Sequence, residues 1–147
     1  MSMFSSLEVS GAALGAERQR AEVVAANMAN AETTNTPEGG PYRRKEVVFA
    51  SSGNQAFRTM LADYNGFHAA ARPAVRVQKI VDDLTPPLMR YEPGHPDANK
   101  DGYVAYPAIN PTEEMVDLMG AVRSYQLNAS AIAASKQMIQ ESISLLK

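Results

Sequence analysis

The sequence predicts a mainly α-helical protein with a small β insertion, in which long N- and C-terminal helices pair as an antiparallel coiled coil. At both chain ends, apolar residues recur at alternating steps of three and four, the signature of helices that pack along a partner. Most of the prolines and six of the nine glycines lie between these ends, where they break regular helices. The predicted boundaries are 1–30 and 111–147 for the terminal helical domain and 31–110 for the central, mostly β or loop insertion.

The N-terminal helix is predicted to begin at Ser5, which forms a capping box with Glu8. Its seam contains one charged member, Arg18. The seam comprises Leu7, Gly11, Leu14, Arg18, Ala21, Ala25 and Met28. Asn27 and Asn30 lie one turn apart at the end of this helix. Their amides can either cap the helix C-terminus or form hydrogen bonds across a helix–helix contact.

The central insertion reads as short strands joined by turns. A turn-rich connector, Thr36–Pro41, follows the first helix. Runs rich in β-branched and aromatic residues predict strands at Lys45–Ala50, Ala74–Val81 and Leu88–Tyr91. Residues 51–72 are polar and Ala-rich without a clear period, so we expect a loop or a short helix there.

The C-terminal helix is predicted to span Pro111 to Lys147. Asn110 suits the N-cap, Pro111 the first helical position and Glu113 the positive helix end. Its seam is held for more than four heptads, and the helix would be roughly 50 Å long. The seam comprises Met115, Leu118, Val122, Tyr125, Ala129, Ile132, Lys136, Ile139, Ile143 and Leu146.

A second apolar stripe lies on another face of this helix. It comprises Gly120, Leu127, Ala131, Ala134, Met138 and Leu145. No charged residue occurs from Ser124 through Ser135. Because a helix that is apolar on two faces is buried on two faces, the second partner must come from the rest of the chain or from another copy.

Composition narrows the classes of function. The 147 residues carry a net charge of −2 without a basic face, so nucleic acid is not an expected partner. There is no cysteine, hence no disulfide and no thiolate chemistry. The N-terminus lacks a basic n-region and an uninterrupted apolar run, so we expect no cleaved secretory signal, and no segment is apolar and long enough to span a bilayer directly.

One segment resembles a metal site. Asp97, Asn99 and Asp101 occupy positions one, three and five of an EF-hand-like loop, with Gly102 at position six. Position twelve, normally the bidentate glutamate, is Ala108. The alternative is a tight turn that joins two strands, and we favour it.

No catalytic pattern is present. His68 and His95 lie far apart and lack a metal-ligand spacing. No phosphate loop, nucleophile elbow or paired-carboxylate motif occurs. We therefore expect no enzyme activity, no catalytic or metal-binding residue, and no cofactor.

Three motifs in order resemble the bacterial flagellar basal-body rod protein family. The first runs from Ala26 to Asn30 and continues in Thr33-Thr34 and Gly40-Pro41-Tyr42-Arg43. The last is Glu113-Glu114-Met115-Val116 with Arg123-Ser124-Tyr125-Gln126 and Asn128. The middle motif, Tyr91-Glu92-Pro93-Gly94-His95-Pro96-Asp97 with Gly102-Tyr103-Val104, is similar to the proximal-rod members of that family.

The resemblance implies a structural subunit of the proximal rod, which crosses the periplasm as a helical axial tube and passes motor torque to the distal rod and hook. It implies contacts with copies of itself, with other proximal and distal rod proteins and with the rod-base/MS-ring adaptor. It also implies type III export through the flagellar export apparatus without a cleaved signal. The alternatives are a calcium-dependent binding module on the Asp97–Asp101 loop and a stand-alone coiled-coil dimer adaptor.

The expected assembly interface combines both seams, the second stripe and the motif residues. It comprises Leu7, Gly11, Leu14, Asn27, Asn30, Tyr42, Met115, Val122, Tyr125, Leu127, Asn128, Ile132, Met138 and Ile139.

Overall fold

The computed structural model describes residues 3–51 and 74–145, and these form two long helices and two antiparallel strand pairs. The elements are α1 (Met3–Ala29), β1 (Lys45–Ser51), β2 (Val75–Asp82), β3 (Leu88–Tyr91), β4 (Tyr103–Tyr106) and α2 (Pro111–Ser144). The mainly helical fold with a β insertion is thereby confirmed. The expectation for residues 51–72 falls, beyond Ser51, outside the described residues, as do His68 and Leu146.

The start of α2 lies where the capping residues of the sequence predict it, whereas the start of α1 does not. Asn110 caps α2, because its side-chain oxygen accepts a hydrogen bond from the Thr112 backbone N–H at 3.0 Å. Pro111 occupies the first turn, as predicted. In contrast, α1 already begins at Met3, so the predicted start at Ser5 is wrong. Met and Phe are tolerated in helices. The helix therefore extends two residues on the N-terminal side of the predicted cap.

The two helices pack against each other and run antiparallel. Arg20 of α1 reaches Asp117 of α2, and Asn27, further along α1, reaches Glu114 at the beginning of α2. The polypeptide leaves α1 and enters α2 at the same end of the pair. The insertion is therefore attached at that end.

The side of α2 that faces the rest of the chain overlaps the predicted seam only in part. Met115, Val122 and Tyr125 are 52%, 44% and 43% exposed, whereas Glu114, Ala121 and Ser135 are buried. The buried positions are multiples of seven residues apart, so the burial is heptad-like but centred beside the predicted seam. Small and polar side chains let the helices approach closely, and a step of three and four fits more than one stripe of the same helix.

The same correction applies to α1. The predicted seam members Gly11, Arg18 and Ala25 are exposed, while Ala16, Val24 and Asn27 are buried. A side chain at Gly11 would meet no other atom of the described chain within 4 Å. The predicted seams are thus covered only in part: Leu7, Leu14, Ala21 and Met28 of α1 are half-buried, as are Leu118, Ile132 and Ile139 of α2.

The strands form two separate two-stranded sheets. β1 pairs with β2, with an irregularity at Val48/Phe49, and both strands contact α1. β3 pairs with β4 in the register Leu88–Tyr106 to Tyr91–Tyr103. The three predicted strands are confirmed to within one residue at each end. β4 is the second of the two strands that the predicted turn joins.

Candidate assembly interface

Asn27 is the centre of a polar junction that joins α1, α2 and β1. It is fully buried. Its amide nitrogen donates to the Lys45 carbonyl at 2.9 Å and to Glu114 Oε2 at 3.0 Å. Its side-chain oxygen accepts from the Lys45 N–H at 2.9 Å and from the Tyr42 hydroxyl at 3.2 Å. Both amide protons and both acceptor positions are used, which satisfies the hydrogen-bonding capacity of an asparagine side chain.

Glu114 is the acid of this junction and is 1% exposed. Arg44 Nε donates to its Oε1 at 2.5 Å. This hydrogen bond raises the pKa of Arg44, and the neighbouring carboxylates of Glu46 and Asp117 add to the effect although burial opposes it. The Glu114 carboxylate also lies in the first turn of α2, where the helix dipole favours a negative charge. The buried carboxylate of Glu114 thus has a cationic partner, accepts hydrogen bonds and lies at the favourable end of the helix dipole.

A more exposed ion-pair network extends the junction along the helices. Arg44 Nη2 lies 3.7 Å from one Asp117 oxygen, and Arg20 Nη2 lies 3.4 Å from the other. Arg44 also pairs with Glu46 at the start of β1. These partly exposed pairs contribute less than the buried one, because solvent screens them. We call Asn27, Arg44 and Glu114 the junction.

The two asparagines of the first motif have different roles. Asn27 makes the predicted hydrogen bond across the helix–helix contact, whereas Asn30 caps locally. The Asn30 amide donates to the Ala26 carbonyl at 2.9 Å, and its oxygen accepts from the Thr33 hydroxyl at 3.2 Å. All of these Asn27 hydrogen bonds are made within the chain. Asn27 can therefore affect assembly only indirectly, by fixing the shape of the subunit.

Sequence reasoning missed Glu114 as a partner of Asn27 and Arg44 as the partner of Glu114. Glu114 was interpreted only as a helix N-terminal acid, and Arg44 follows a motif without belonging to it. The two residues are 70 positions apart, so no local spacing could connect them. One sequence signal could have suggested that Asn27 and Glu114 are in contact. Asn27 belongs to the N-terminal motif and Glu114 to the C-terminal motif.

The outward side of α2 carries large apolar side chains without a partner among the described residues. Val116, Met119 and Leu127 are 60%, 58% and 64% exposed, and Leu145, the C-cap residue that follows α2, is 86% exposed. The outer stripe, defined as Gly120, Leu127, Ala131, Ala134, Met138 and Leu145, is exposed at every member. An apolar surface of this length marks an interaction site.

The structure divides the residues expected at the assembly interface into three groups. The exposed group comprises Gly11, Met115, Val122, Tyr125, Leu127 and Met138. The half-buried group comprises Leu7, Leu14, Asn30, Tyr42, Asn128, Ile132 and Ile139. Asn27 alone among the expected residues is buried. Asn128 donates to the Ser124 carbonyl of its own helix at 2.9 Å.

The Asp97–Asp101 loop is a turn between β3 and β4. Asn99, the predicted third-position ligand, turns its side-chain oxygen inward to accept the N–H groups of Asp101 and Tyr103, both at 2.9 Å. Asp97 accepts from the Thr34 hydroxyl at 2.7 Å. Gly102 has φ of +81°, a conformation that favours glycine. The turn interpretation is therefore confirmed, and the calcium alternative gains no support.

The described part of the chain offers neither a metal site nor a membrane-spanning helix. Within residues 3–51 and 74–145, no group of three or more acidic, histidine or cysteine side chains could hold a metal ion. Neither helix has the combination of length and hydropathy that crossing a bilayer requires, again within those ranges.

Comparisons with known proteins agree with the motifs. Residues 100–145 match the model of the flagellar basal body rod FlgEFG protein C-terminal family. The chain is 40% identical to the flagellar basal-body rod protein FlgC of Bacillus subtilis, with all of both chains covered. It is 39% identical to the FlgC protein of Borreliella burgdorferi, covering 100% of this chain and 99% of the relative. The FlgC protein of Escherichia coli O157:H7 is 35% identical over 99% of this chain and 98% of its own.

Proposed function

The chain belongs to the FlgC family of flagellar basal-body rod proteins, and we propose that it is a structural subunit of the proximal rod. It is not an enzyme, because the family is structural. Its place is the flagellar basal body, in the part of the rod that crosses the periplasm. Its contribution is mechanical: long helices buried between neighbours stiffen a tube that passes torque to the distal rod and hook.

One observation carries this proposal. The most buried residues of α2 are Glu114, Ala121 and Ser135, whereas many of its large apolar residues lie in solvent, with Leu127 64% and Met119 58% exposed. Apolar surface stabilises a protein by about 25 cal/mol per Å² only when it is removed from water. In a protein that works alone, these exposed side chains would therefore contribute no stability. A subunit held by many neighbours needs those side chains outside.

The terminal helices, residues 1–30 and 111–147, are proposed to form one coiled-coil domain that carries 31–110 as an insertion. The antiparallel packing of α1 on α2 supports this. The contact would use Ala16, Val24 and Ala121, which are buried, together with the half-buried members of the predicted seams. The junction would fix the angle at which the insertion leaves the helices.

The proposed partners are copies of this chain, other proximal and distal rod proteins, and the rod-base/MS-ring adaptor. Open, head-to-tail contacts among such subunits generate a helical tube. The subunit would reach the rod through the flagellar export apparatus, as a type III substrate without a cleaved signal. The exposed members of the expected interface, Met115, Val122, Tyr125, Leu127 and Met138, are proposed to contact neighbours.

The test is Leu127→Lys as the only copy in a motile strain. We expect normal expression and export but a block in rod completion, because a lysine buried without a partner costs several kcal/mol at every repeated contact. Ser130→Lys is the matched control, since Ser130 is exposed on the same helix but lies outside the outer stripe. The readouts are swimming motility and the yield of complete basal bodies.

Normal rods with Leu127→Lys would contradict the proposed packing of this face, because at an exposed site the same change is worth less than about 0.5 kcal/mol. Equal loss with Leu127→Lys and Ser130→Lys would also contradict it, since the effect would then not depend on the stripe.

A further inference from the structure

Glu17 places a carboxylate on the side of α1 that α2 covers. It lies one turn before Arg20, which reaches Asp117 of α2. Val24 and Asn27, further along the same stripe of α1, are buried. The Glu17 side chain is itself only 19% exposed. Pairing of the two helices therefore covers a charged group as well as apolar ones.

One oxygen of the Glu17 carboxylate has no hydrogen-bond donor. Glu17 Oε2 is inaccessible to solvent, and no donor among the described residues bonds to it. Arg20 Nη1 lies 3.9 Å away, which is too far for a hydrogen bond, while Arg20 Nη2 is directed to Asp117 at 3.4 Å. A buried carboxylate oxygen without a donor is unfavourable, because its hydration is lost and not replaced.

The part of α2 that faces Glu17 supplies no cation. Antiparallel packing brings Asn27 to Glu114. Glu17 lies ten residues before Asn27, so it falls near the level of Ser124, ten residues after Glu114. For twelve residues from Ser124 onward α2 carries no charge, and the preceding Arg123 is exposed. Glu17 thus lacks the kind of partner that the buried Glu114 carboxylate has in the junction.

We propose that Glu17 weakens the pairing of α1 with α2 in the free subunit and so delays closure of the helices until the subunit is in the rod. The junction favours pairing at one end of the helices. Glu17 opposes it further along, where the buried side chains are the small ones of Ala16, Ala121 and Ser135. This inference rests on the function proposed above, because burial of the outer side of α2 by rod neighbours would supply the stability that the helix pair lacks alone.

The test compares helix formation in purified full-length variants by far-ultraviolet circular dichroism. Trimethylamine N-oxide, an osmolyte that favours buried states, is titrated to shift the equilibrium between unpaired and paired helices. Glu17→Gln removes the charge, and Glu17→Met removes the polar group as well, both with a helix propensity close to that of Glu. We expect both variants to become helical at lower osmolyte concentrations than wild type, Glu17→Met at the lowest. At the wild-type midpoint, the ratio of paired to unpaired helices should be about ten-fold higher in Glu17→Met.

Two controls separate this effect from a general gain in helicity. Glu22→Met makes the same change on the same helix at a side chain that is 59% exposed, and it should leave the transition where it is in wild type. Ala121→Pro interrupts α2 opposite this part of α1, and in that background Glu17→Met should have no effect.

The inference would be overturned by coincident transitions of wild type and both Glu17 variants, or by an equal shift with Glu22→Met. A shift that persists in the Ala121→Pro background would also overturn it, since the gain would then belong to α1 alone, as would a wild-type protein that is fully helical without osmolyte. These measurements use the free subunit. A negative result would therefore leave the proposed role in the rod standing, whereas that role is tested separately by Leu127→Lys.

Discussion

Replacing Asn27 by aspartate tests whether the junction holds the two helices and the insertion together. The substitution is nearly isosteric, so the side-chain volume stays the same. It replaces the amide nitrogen, which donates to Glu114 Oε2 and to the Lys45 carbonyl, by an oxygen that can only accept at neutral pH. The variant therefore loses two hydrogen bonds and places a second carboxylate against a buried one.

The expected cost follows from the lost contacts. A hydrogen bond to a charged group contributes about 1.5–3 kcal/mol and a neutral one about 0.5–1.5 kcal/mol. Their sum is about 2–4.5 kcal/mol before the repulsion between two carboxylates whose facing atoms were 3.0 Å apart in the wild type. We expect Asn27→Asp to lower the free energy of unfolding by at least about 3 kcal/mol at pH 7.

The assay is urea denaturation of the full chain at pH 7 and at acidic pH, followed by circular dichroism. The deficit relative to wild type should shrink in acid, because one carboxyl is then protonated and can donate the hydrogen bond that the amide supplied. Asn30→Asp is the matched control: Asn30 lies one turn away and bonds only to its own helix end and to Thr33. Equal losses of stability for Asn27→Asp and Asn30→Asp would refute the reasoning.

Three further predictions concern the turns, Tyr42 and metal. Gly102→Ala should destabilise by about 1–3 kcal/mol, because φ is +81° and the new Cβ would lie 2.8 Å from Tyr91 Cε2. Gly39→Ala, at a similar φ but in open space, should cost less in the same denaturation assay. Burial raises the pKa of Tyr42 above 10.0, with Asp82 and Glu114 adding to the effect. The folded state thus holds the phenolic proton more tightly, and stability should fall as pH rises above about 10. Tyr42→Phe should reduce that fall, to which Tyr106 also contributes because its hydrogen bond to Glu92 raises its pKa; an unchanged pH profile would contradict the prediction. Calorimetry should find no calcium site tighter than about millimolar, and a micromolar site abolished by Asp101→Ala would contradict the turn interpretation.

Features set by neighbouring residues were predictable from the sequence. The cap at Asn110, the proline that begins α2 and the three strands depend on local backbone preferences, and the structure confirms them. The start of α1 was wrong by two residues because a helix can extend by part of a turn beyond a capping sequence. The turn at Asn99 was also predictable, since an Asn-x-Asp-Gly run favours a tight turn whether or not a metal is bound.

The face of each helix that meets the other could not be predicted in the same way. Periodicity ranked the stripes of α2 by hydrophobicity, but α1 packs on the stripe with Glu114 and Ala121. That stripe is buried because Arg44 pairs with the Glu114 carboxylate and Asn27 donates a hydrogen bond to it. Both residues lie far from Glu114 in the sequence. The same limit applies to the junction: Asn27 was recognisable as a cross-helix candidate, but its partners were not.

The most direct test of the proposed role is imaging of purified basal bodies that contain this chain, at a resolution that shows side chains. We expect the chain in the proximal rod, with Leu127 and Met138 of α2 packed against neighbouring subunits and the bond from Asn27 to Glu114 retained within each subunit. Density that places this chain in the rod with the outer stripe of α2 facing solvent would contradict the proposal that this surface holds the rod together.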